Sequence, residues 1–189
     1  MYITLFAGIG GSCEGLSQAF GCSPYAVVDK NECALATHRA NHHDTKHITE
    51  DVYTVPVTTG GKKPKVIWAS PDCTEHSNAG GDCIKTEERR GLAWALFRWM
   101  EAPPDVVMLE NVPAWLQWGP LENGKVIRER KGELFQEWLG VLKSHGYDVQ
   151  WRILAACDFG VPTSRERVYL IGRRDGKQIK WPLATHGPG

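Results

Sequence analysis

Three kinds of reactive group stand where a sheet of parallel strands would present them to a ligand. Cys73 comes after the apolar run Ile67-Trp68-Ala69 and the break at Pro71, on a turn beyond a strand's carboxyl end, where open α/β sheets bind their ligands. Such a thiol is either a nucleophile, once ionised, or a small buried hydrophobe. Glu110 comes directly after Val106-Val107-Met108-Leu109. A half-buried carboxylate at a strand end tends toward a raised pKa and can donate or accept a proton near neutrality; a helix-capping or salt-bridged glutamate is the competing reading. Arg165 and Arg167 lie one residue apart at the start of an apolar run, Val168 to Gly172. On a strand they point the same way and can grip phosphate or a carbonyl oxygen.

A second set has the chemistry of nucleotide binding. Residues 2–7 read as a strand that runs into Gly8-Ile9-Gly10-Gly11 and then into a helix over residues 12–20. Glycines there let a ligand approach the backbone beside a helix N-terminus, although a tight βα turn without a ligand has the same pattern. Asp29 ends the next apolar run, Pro24 to Val28, and is placed to bind ribose hydroxyls. The dinucleotide fingerprint requires a third glycine where Cys13 stands, which weakens an NAD-linked oxidoreductase. A cysteine hydrolase built on Cys73 and His76 is also weak, since a histidine three residues away in a loop seldom has the needed geometry. His38, His42, His43 and His47 show no ligand constellation and are read as exposed or helix-end residues, so no metal is expected.

Composition narrows the class. The 189 residues suit one domain with a substantial core, and Lys+Arg 22 against Asp+Glu 22 leaves no net charge, so the whole chain does not attract nucleic acid electrostatically. Local clusters at Lys62/Lys63/Lys65, Arg89/Arg90, Arg128/Arg130/Lys131 and Arg173/Arg174 remain candidates for nucleic-acid contact, although such runs are usually solvated surface. The six cysteines form no CxxC pair, and a reduced intracellular compartment is the default expectation. No signal peptide or membrane-length apolar run is present.

The elements that could position these groups can be read along the chain. Residues 31–41 read as a helix with Cys33, Ala34, Leu35 and Thr37 inward, and a short strand lies near residues 46–48. Residues 66–69 form the strand before Cys73, 78–88 a polar loop, and 91–100 a helix with Leu92, Leu96 and Trp99 on one face. Pro103-Pro104 introduces the strand that ends at Glu110. Residues 115–131 read as an irregular polar insertion. Residues 132–144 form the clearest helix, with Phe135, Trp138, Leu139 and Leu142 at core spacing and Gly146 at its end. Strands over 147–155 and 168–172 come next, and 180–189 carries no periodic element.

The ordered set resembles the cytosine-5 DNA methyltransferase family from Met1 to about Gly172. Leu5-Phe6-Ala7-Gly8-Ile9-Gly10-Gly11 looks like the family's S-adenosylmethionine motif. Asp29 stands where the family has its acidic ribose ligand, and Asp51-Val52 resembles the pair that touches the adenine side. Pro71-Asp72-Cys73-Thr74-Glu75-His76-Ser77 resembles the nucleophile loop, Glu110-Asn111-Val112 the Glu-Asn-Val motif, and Gly160 to Arg167 the Gly-Val-Pro-Gln-x-Arg-x-Arg motif. The resemblance implies an α/β fold: a Rossmann-like S-adenosylmethionine-dependent methyltransferase sheet with helices on both faces, mostly parallel with a late antiparallel strand.

It further implies S-adenosyl-L-methionine as cofactor, held by Phe6, Ala7, Gly8, Ile9, Gly10, Gly11, Asp29, Lys30, Asp51, Val52 and Pro71. Double-stranded DNA would be the substrate, with the target base flipped out of the stack. Cys73 would be the nucleophile on ring carbon 6, Glu110 the group on ring nitrogen 3, and Arg167 with Arg165 the binders of the base oxygen. Asp72, Thr74, His76 and Thr163 depart from the family pattern; Asp72 adds a negative charge beside a thiol that must ionise. Family members continue into a target-recognition domain and a returning segment. The expectation is therefore a single catalytic lobe over 1–189, in a bacterial or phage-infected cytoplasm. DNA recognition would then come from a second polypeptide, or the chain would be a truncated, inactive cofactor-binding remnant.

Overall fold

The computed structural model describes residues 1–57, 63–72 and 91–187. Short apolar runs make the strands: β1 (Tyr2–Leu5), β2 (Ala26–Asp29), β3 (Lys46–Thr49), β4 (Val66–Ala69) and β5 (Val106–Asn111). Two further strands, β8 (Asp148–Ala155) and β9 (Glu166–Arg173), complete a seven-stranded sheet in the order β3-β2-β1-β4-β5-β9-β8. β1 pairs in parallel with β2 and β4, and β2 with β3, while β8 and β9 are antiparallel. β6 (Leu121–Glu122) and β7 (Lys125–Val126) form a separate small hairpin. The mixed, mostly parallel sheet is the one the sequence predicts.

The chain divides into two compact units, Met1–Pro71 with Ala93–Met108, and Asp72–Leu92 with Leu109–Gly189. In the first, β1 is buried on both faces, as a central parallel strand must be. Helix α1 (Gly11–Phe20) buries Cys13 and Leu16 and ends at Gly21, whose φ of 66° takes the left-handed cap. Helix α2 (Glu32–Asn41) starts where the Asn31 side chain accepts the Ala34 N–H at 3.1 Å. That cap sets the register, and the inward positions are Leu35 and His38, not Cys33 and Thr37, which are exposed. Apolar periodicity missed His38 because a polar residue fills the second buried slot. Residues Gly91–Glu101 form a 3-10 helix that buries Ala93, Ala95, Leu96, Trp99 and Met100. An apolar face does not distinguish this tighter winding from an α-helix.

In the second unit, helix α3 (Glu133–Ser144) buries Phe135, Trp138, Leu139 and Leu142 as its spacing requires. The preceding stretch is not an irregular polar insertion. It holds a 3-10 turn at Pro113–Gln117, the small hairpin and another 3-10 turn at Arg128–Arg130. Trp115 and Trp118, 0% and 1% exposed, anchor it. Trp115 meets the rings of Phe135 at 5.0 Å and Trp138 at 5.3 Å, both edge-on. Burying these indoles outweighs the polar character of the residues between them.

Candidate functional site

In the first unit the site grows from the turn after β1. Phe6, although not a glycine, has φ 57°, and Gly8 and Gly10 have φ 55° and 103°. The chain thus folds back before α1 in conformations that side chains rarely adopt. Asp29, half-buried at the end of β2, closes this turn: its Oδ2 accepts the Gly8 N–H and its Oδ1 the Asn31 N–H, each at 2.8 Å. Ile9 stands 64% exposed, and a Cβ on Gly8 or Gly11 would meet no atom within 4 Å. An exposed glycine turn beside a carboxylate with unused lone pairs fits an adenosine cofactor whose ribose donates two hydroxyls.

Gly10 faces the other way, into the protein. A Cβ there would lie 3.0 Å from His38 Cδ2 and 3.0 Å from His42 Cδ2. His38 is fully buried and His42 nearly so, and His38 Nδ1 shares a 2.8 Å hydrogen bond with His47 Nε2. Of the two alternatives the sequence offered, His38 and His42 take the helix end, in the last turn and at the C-cap of α2, where both are buried; His43 is exposed. Burial, reinforced by His42 and His47, lowers the His38 pKa to about 4, so His38 is neutral at ordinary pH. Among the described residues no group of His, Cys, Asp or Glu is arranged to hold a metal ion.

The other expected cofactor residues take these places. Lys30 is exposed beside Asp29, and Pro71 is buried. Asp51 holds its own turn, its carboxylate accepting the Tyr53 N–H at 2.8 Å. Buried Val52 is fixed by Arg98, which donates to its carbonyl at 2.7 Å.

In the second unit Glu110 and Arg167 meet. Glu110 lies within β5 rather than beyond it, and Arg167 is the second residue of β9, with Arg165 just before that strand. Arg167 Nε lies 3.0 Å from Glu110 Oε1, with side chains 16% and 23% exposed respectively. Burial pushes the Glu110 carboxyl above its ordinary range, although Arg167 and then Arg165 oppose that rise. The adjacent Asn111 is buried and turns its Oδ1 onto the Val112 N–H at 2.8 Å, fixing the end of the strand.

Glu110, Arg165 and Arg167 line a cavity of about 360 Å³ together with Tyr169, Phe159, Val161 and Pro182. That volume suits a small ring with polar edges. Tyr169 is absent from the sequence-based candidates, yet it lies two residues after Arg167 on one strand and so shares its face. Burial and the Glu110 charge raise its phenol pKa. Pro182 gave no such signal, because it comes from an aperiodic tail. Cys73 lies outside the described residues.

Comparisons with known proteins bear on the family and the fold. The family described as C-5 cytosine-specific DNA methylase matches residues 1–187. The type II methyltransferase M.AquIA of a Picosynechococcus species is 32% identical over 194 residues, covering 98% of this chain and 77% of that protein. M.SacI of Streptomyces achromogenes is 32% identical over 210 residues, covering 97% and 50%. The crystal structure of S. pombe Dnmt2 methyltransferase shares the fold with a TM-score of 0.69 at 22% identity, covering 95% of this chain and 50% of that one. The chain thus spans about half the length of most of the relatives it matches. No helix among the described residues is long and apolar enough to cross a membrane. Matched over nearly its whole length, and built on the mixed sheet of S-adenosylmethionine-dependent methyltransferases, the chain belongs to the C-5 cytosine-specific DNA methylase family.

Proposed function

We propose that the protein transfers a methyl group from S-adenosylmethionine to carbon 5 of a flipped cytosine in double-stranded DNA. The observation that carries this reading is the Glu110–Arg167 pair at 3.0 Å on the wall of a base-sized cavity. A partly buried carboxyl of raised pKa beside guanidinium donors matches the edge of cytosine, where a ring nitrogen must gain a proton next to a carbonyl oxygen.

The cofactor, when bound, supplies an electrophilic methyl group on a sulfonium. Residues 6–11 would cradle it, Asp29 would accept its ribose hydroxyls, and Lys30, Asp51, Val52 and Pro71 would complete the site. The Cys73 thiolate attacks ring carbon 6, forming a C–S bond and moving the ring electrons to carbon 5. Glu110 gives its proton to ring nitrogen 3, so no net negative charge accumulates on the base. Arg167 and Arg165 hold the base oxygen and favour the thiolate electrostatically. Once carbon 5 carries the methyl group, its bond to the sulfonium sulfur broken, a base removes the carbon 5 proton, the double bond re-forms, Cys73 leaves as thiolate and ring nitrogen 3 returns its proton to Glu110.

The test is covalent capture on DNA carrying 5-fluorocytosine in the presence of S-adenosylmethionine. Fluorine cannot leave as a proton does, so the enzyme stays bonded to the base. A denaturation-resistant adduct is expected. Its absence, even with the C-terminal half of a relative supplied, would overturn the proposal.

A second reading, a cofactor-binding chain that depends on another polypeptide for DNA recognition, is favoured by the zero net charge. It predicts calorimetric binding of S-adenosylhomocysteine with no gel shift of duplex DNA by this chain alone. Tight, sequence-selective binding of DNA by the chain would exclude it.

A further inference from the structure

Residues 180–187 have no regular structure, yet they are tied down at both ends. The Trp181 indole N–H donates to Gln150 Oε1 at 2.9 Å, and the Arg152 guanidinium lies 5.1 Å from the Trp181 ring centre. At the far end, the backbone N–H groups of Thr185 and His186 both donate to the Asp158 carbonyl, each at 2.9 Å. Thr185 Oγ1 and His186 Nδ1 are 3.0 Å apart, which orients the imidazole. That ring fills the space beside Gly160, where a Cβ would lie 2.9 Å from His186 Cε1 and 3.1 Å from Nδ1. Between the two anchors, Pro182 reaches the cavity wall.

The anchoring point matters because the arginine loop starts there. Gly160, at φ 86°, ends the 3-10 turn Ala156–Phe159 and begins the loop that carries Arg165 to the start of β9. The bonds within that loop are Val161 N–H to the Ala156 carbonyl at 3.2 Å, Thr163 N–H to the Val161 carbonyl at 2.7 Å and Arg165 N–H to Thr163 Oγ1 at 3.3 Å, and at its end the Arg165 carbonyl accepts the Ala156 N–H at 3.0 Å. Residues 160–166 are all exposed. An exposed loop whose two ends both hang on Ala156 holds its arginine in place only as well as the turn Ala156–Phe159 is itself held, and a displacement of about 1 Å can cost about a hundredfold in rate.

We infer that His186 is a positioning residue: clasped to Asp158 and packed on Gly160, it braces the arginine loop, and the strap it anchors sets Pro182 as a wall of the base pocket. The inference rests on reading that cavity as the site of the flipped cytosine.

The test uses the full chain with His186→Ala and His186→Phe, the latter keeping a flat ring over Gly160. One readout needs no DNA: the titration of the Glu110 carboxyl, followed by carbon-13 NMR. Arg165 and Arg167 oppose the rise of that pKa, so a loosened loop moves it further up, by about half a unit or threefold in proton affinity. Amide exchange at Val161, Thr163 and Arg165 should quicken about tenfold in His186→Ala. Covalent capture of 5-fluorocytosine DNA should slow about tenfold, with S-adenosylhomocysteine affinity unchanged. His186→Phe should match wild type in all of these. An unmoved Glu110 titration with unchanged exchange in His186→Ala overturns the brace, and so does a His186→Phe variant as impaired as the alanine. Full capture rate despite a loosened loop overturns its role in the reaction. Failure of wild-type capture would instead count against the base-pocket reading, while the Glu110 titration still decides whether His186 positions the arginines.

Discussion

The Glu110 carboxylate and the Arg167 guanidinium sit 3.0 Å apart, and burial still leaves the carboxyl harder to ionise than an ordinary glutamate. The pair therefore does two jobs that pull against each other. The arginine holds the carboxyl in place and favours its charge, while desolvation keeps a proton available on it.

Glu110→Gln separates these roles. A folded-state pKa above the unfolded value means the contribution to stability is fully present below the unfolded pKa, about 4.5, and is lost as pH rises through the elevated folded value. The amide never ionises, so the variant should gain stability relative to wild type as pH rises above the unfolded value, as read by thermal melts over a pH series. Covalent capture should fall by roughly 10²–10⁴-fold, since an amide cannot deliver the proton to ring nitrogen 3. Capture at the wild-type rate would remove Glu110 from the chemistry.

Asp29→Ala tests the cofactor half. It strips the Gly8 and Asn31 amides of acceptors 2.8 Å away, at a cost of about 1–3 kcal/mol. It also removes the proposed ribose acceptor. Melting temperature should drop, and S-adenosylhomocysteine affinity by calorimetry should weaken about a hundredfold, beyond what a looser turn alone explains. Asp29→Asn, which keeps one acceptor oxygen, should recover much of the stability and little of the affinity. Undiminished affinity in Asp29→Ala would place the cofactor elsewhere.

These two halves were legible in the sequence for one reason: each lies at a strand end, where an apolar run stops on a charged residue. Val27-Val28-Asp29 and Met108-Leu109-Glu110 announce both the strand and the group it presents, and the Arg165/Arg167 spacing announces a shared face. The four core positions of α3 were equally plain, because they are large and fall three and four apart. What escaped was whatever broke the link between polarity and exposure. His38 occupies a buried slot in α2, and two fully buried tryptophans anchor a stretch whose other residues are polar. Pro182 and His186 escaped for another reason: an aperiodic tail is held by backbone amides and ring packing, which leave no pattern in residue type.

His38 predicts an acid limb in stability. Its pKa falls to about 4 in the fold, so its contribution is fully present above the unfolded value near 6.5 and is lost as pH drops toward 4. The full shift corresponds to at most about 3 kcal/mol. The charged or titratable groups around it are His42, His47 and Asp29, with Arg39 beside His47. Urea melts at pH 7, 5.5 and 4.5 should show wild type losing stability steadily, and His38→Leu losing clearly less. Equal slopes for the two proteins would mean that the acid limb comes from other groups.

Gly10 and Gly15 make a matched pair for the turn itself. Gly10, at φ 103°, would force an alanine into a strained backbone and set its Cβ 3.0 Å from both His38 and His42, whereas Gly15 lies inside α1 with nothing within 4 Å of a Cβ. Gly15→Ala should therefore raise stability by about 0.5–1 kcal/mol through helix propensity. Gly10→Ala should lower it by about 1–3 kcal/mol and weaken S-adenosylhomocysteine binding at least tenfold, because the turn must lift away from the histidines. Adding His42→Ala to Gly10→Ala opens space for the methyl group but leaves the backbone strain, so binding should recover in part. If the second substitution gives no recovery, contact with His42 is not what fixes the position of Gly10, and the strained φ together with the His38 contact accounts for the loss.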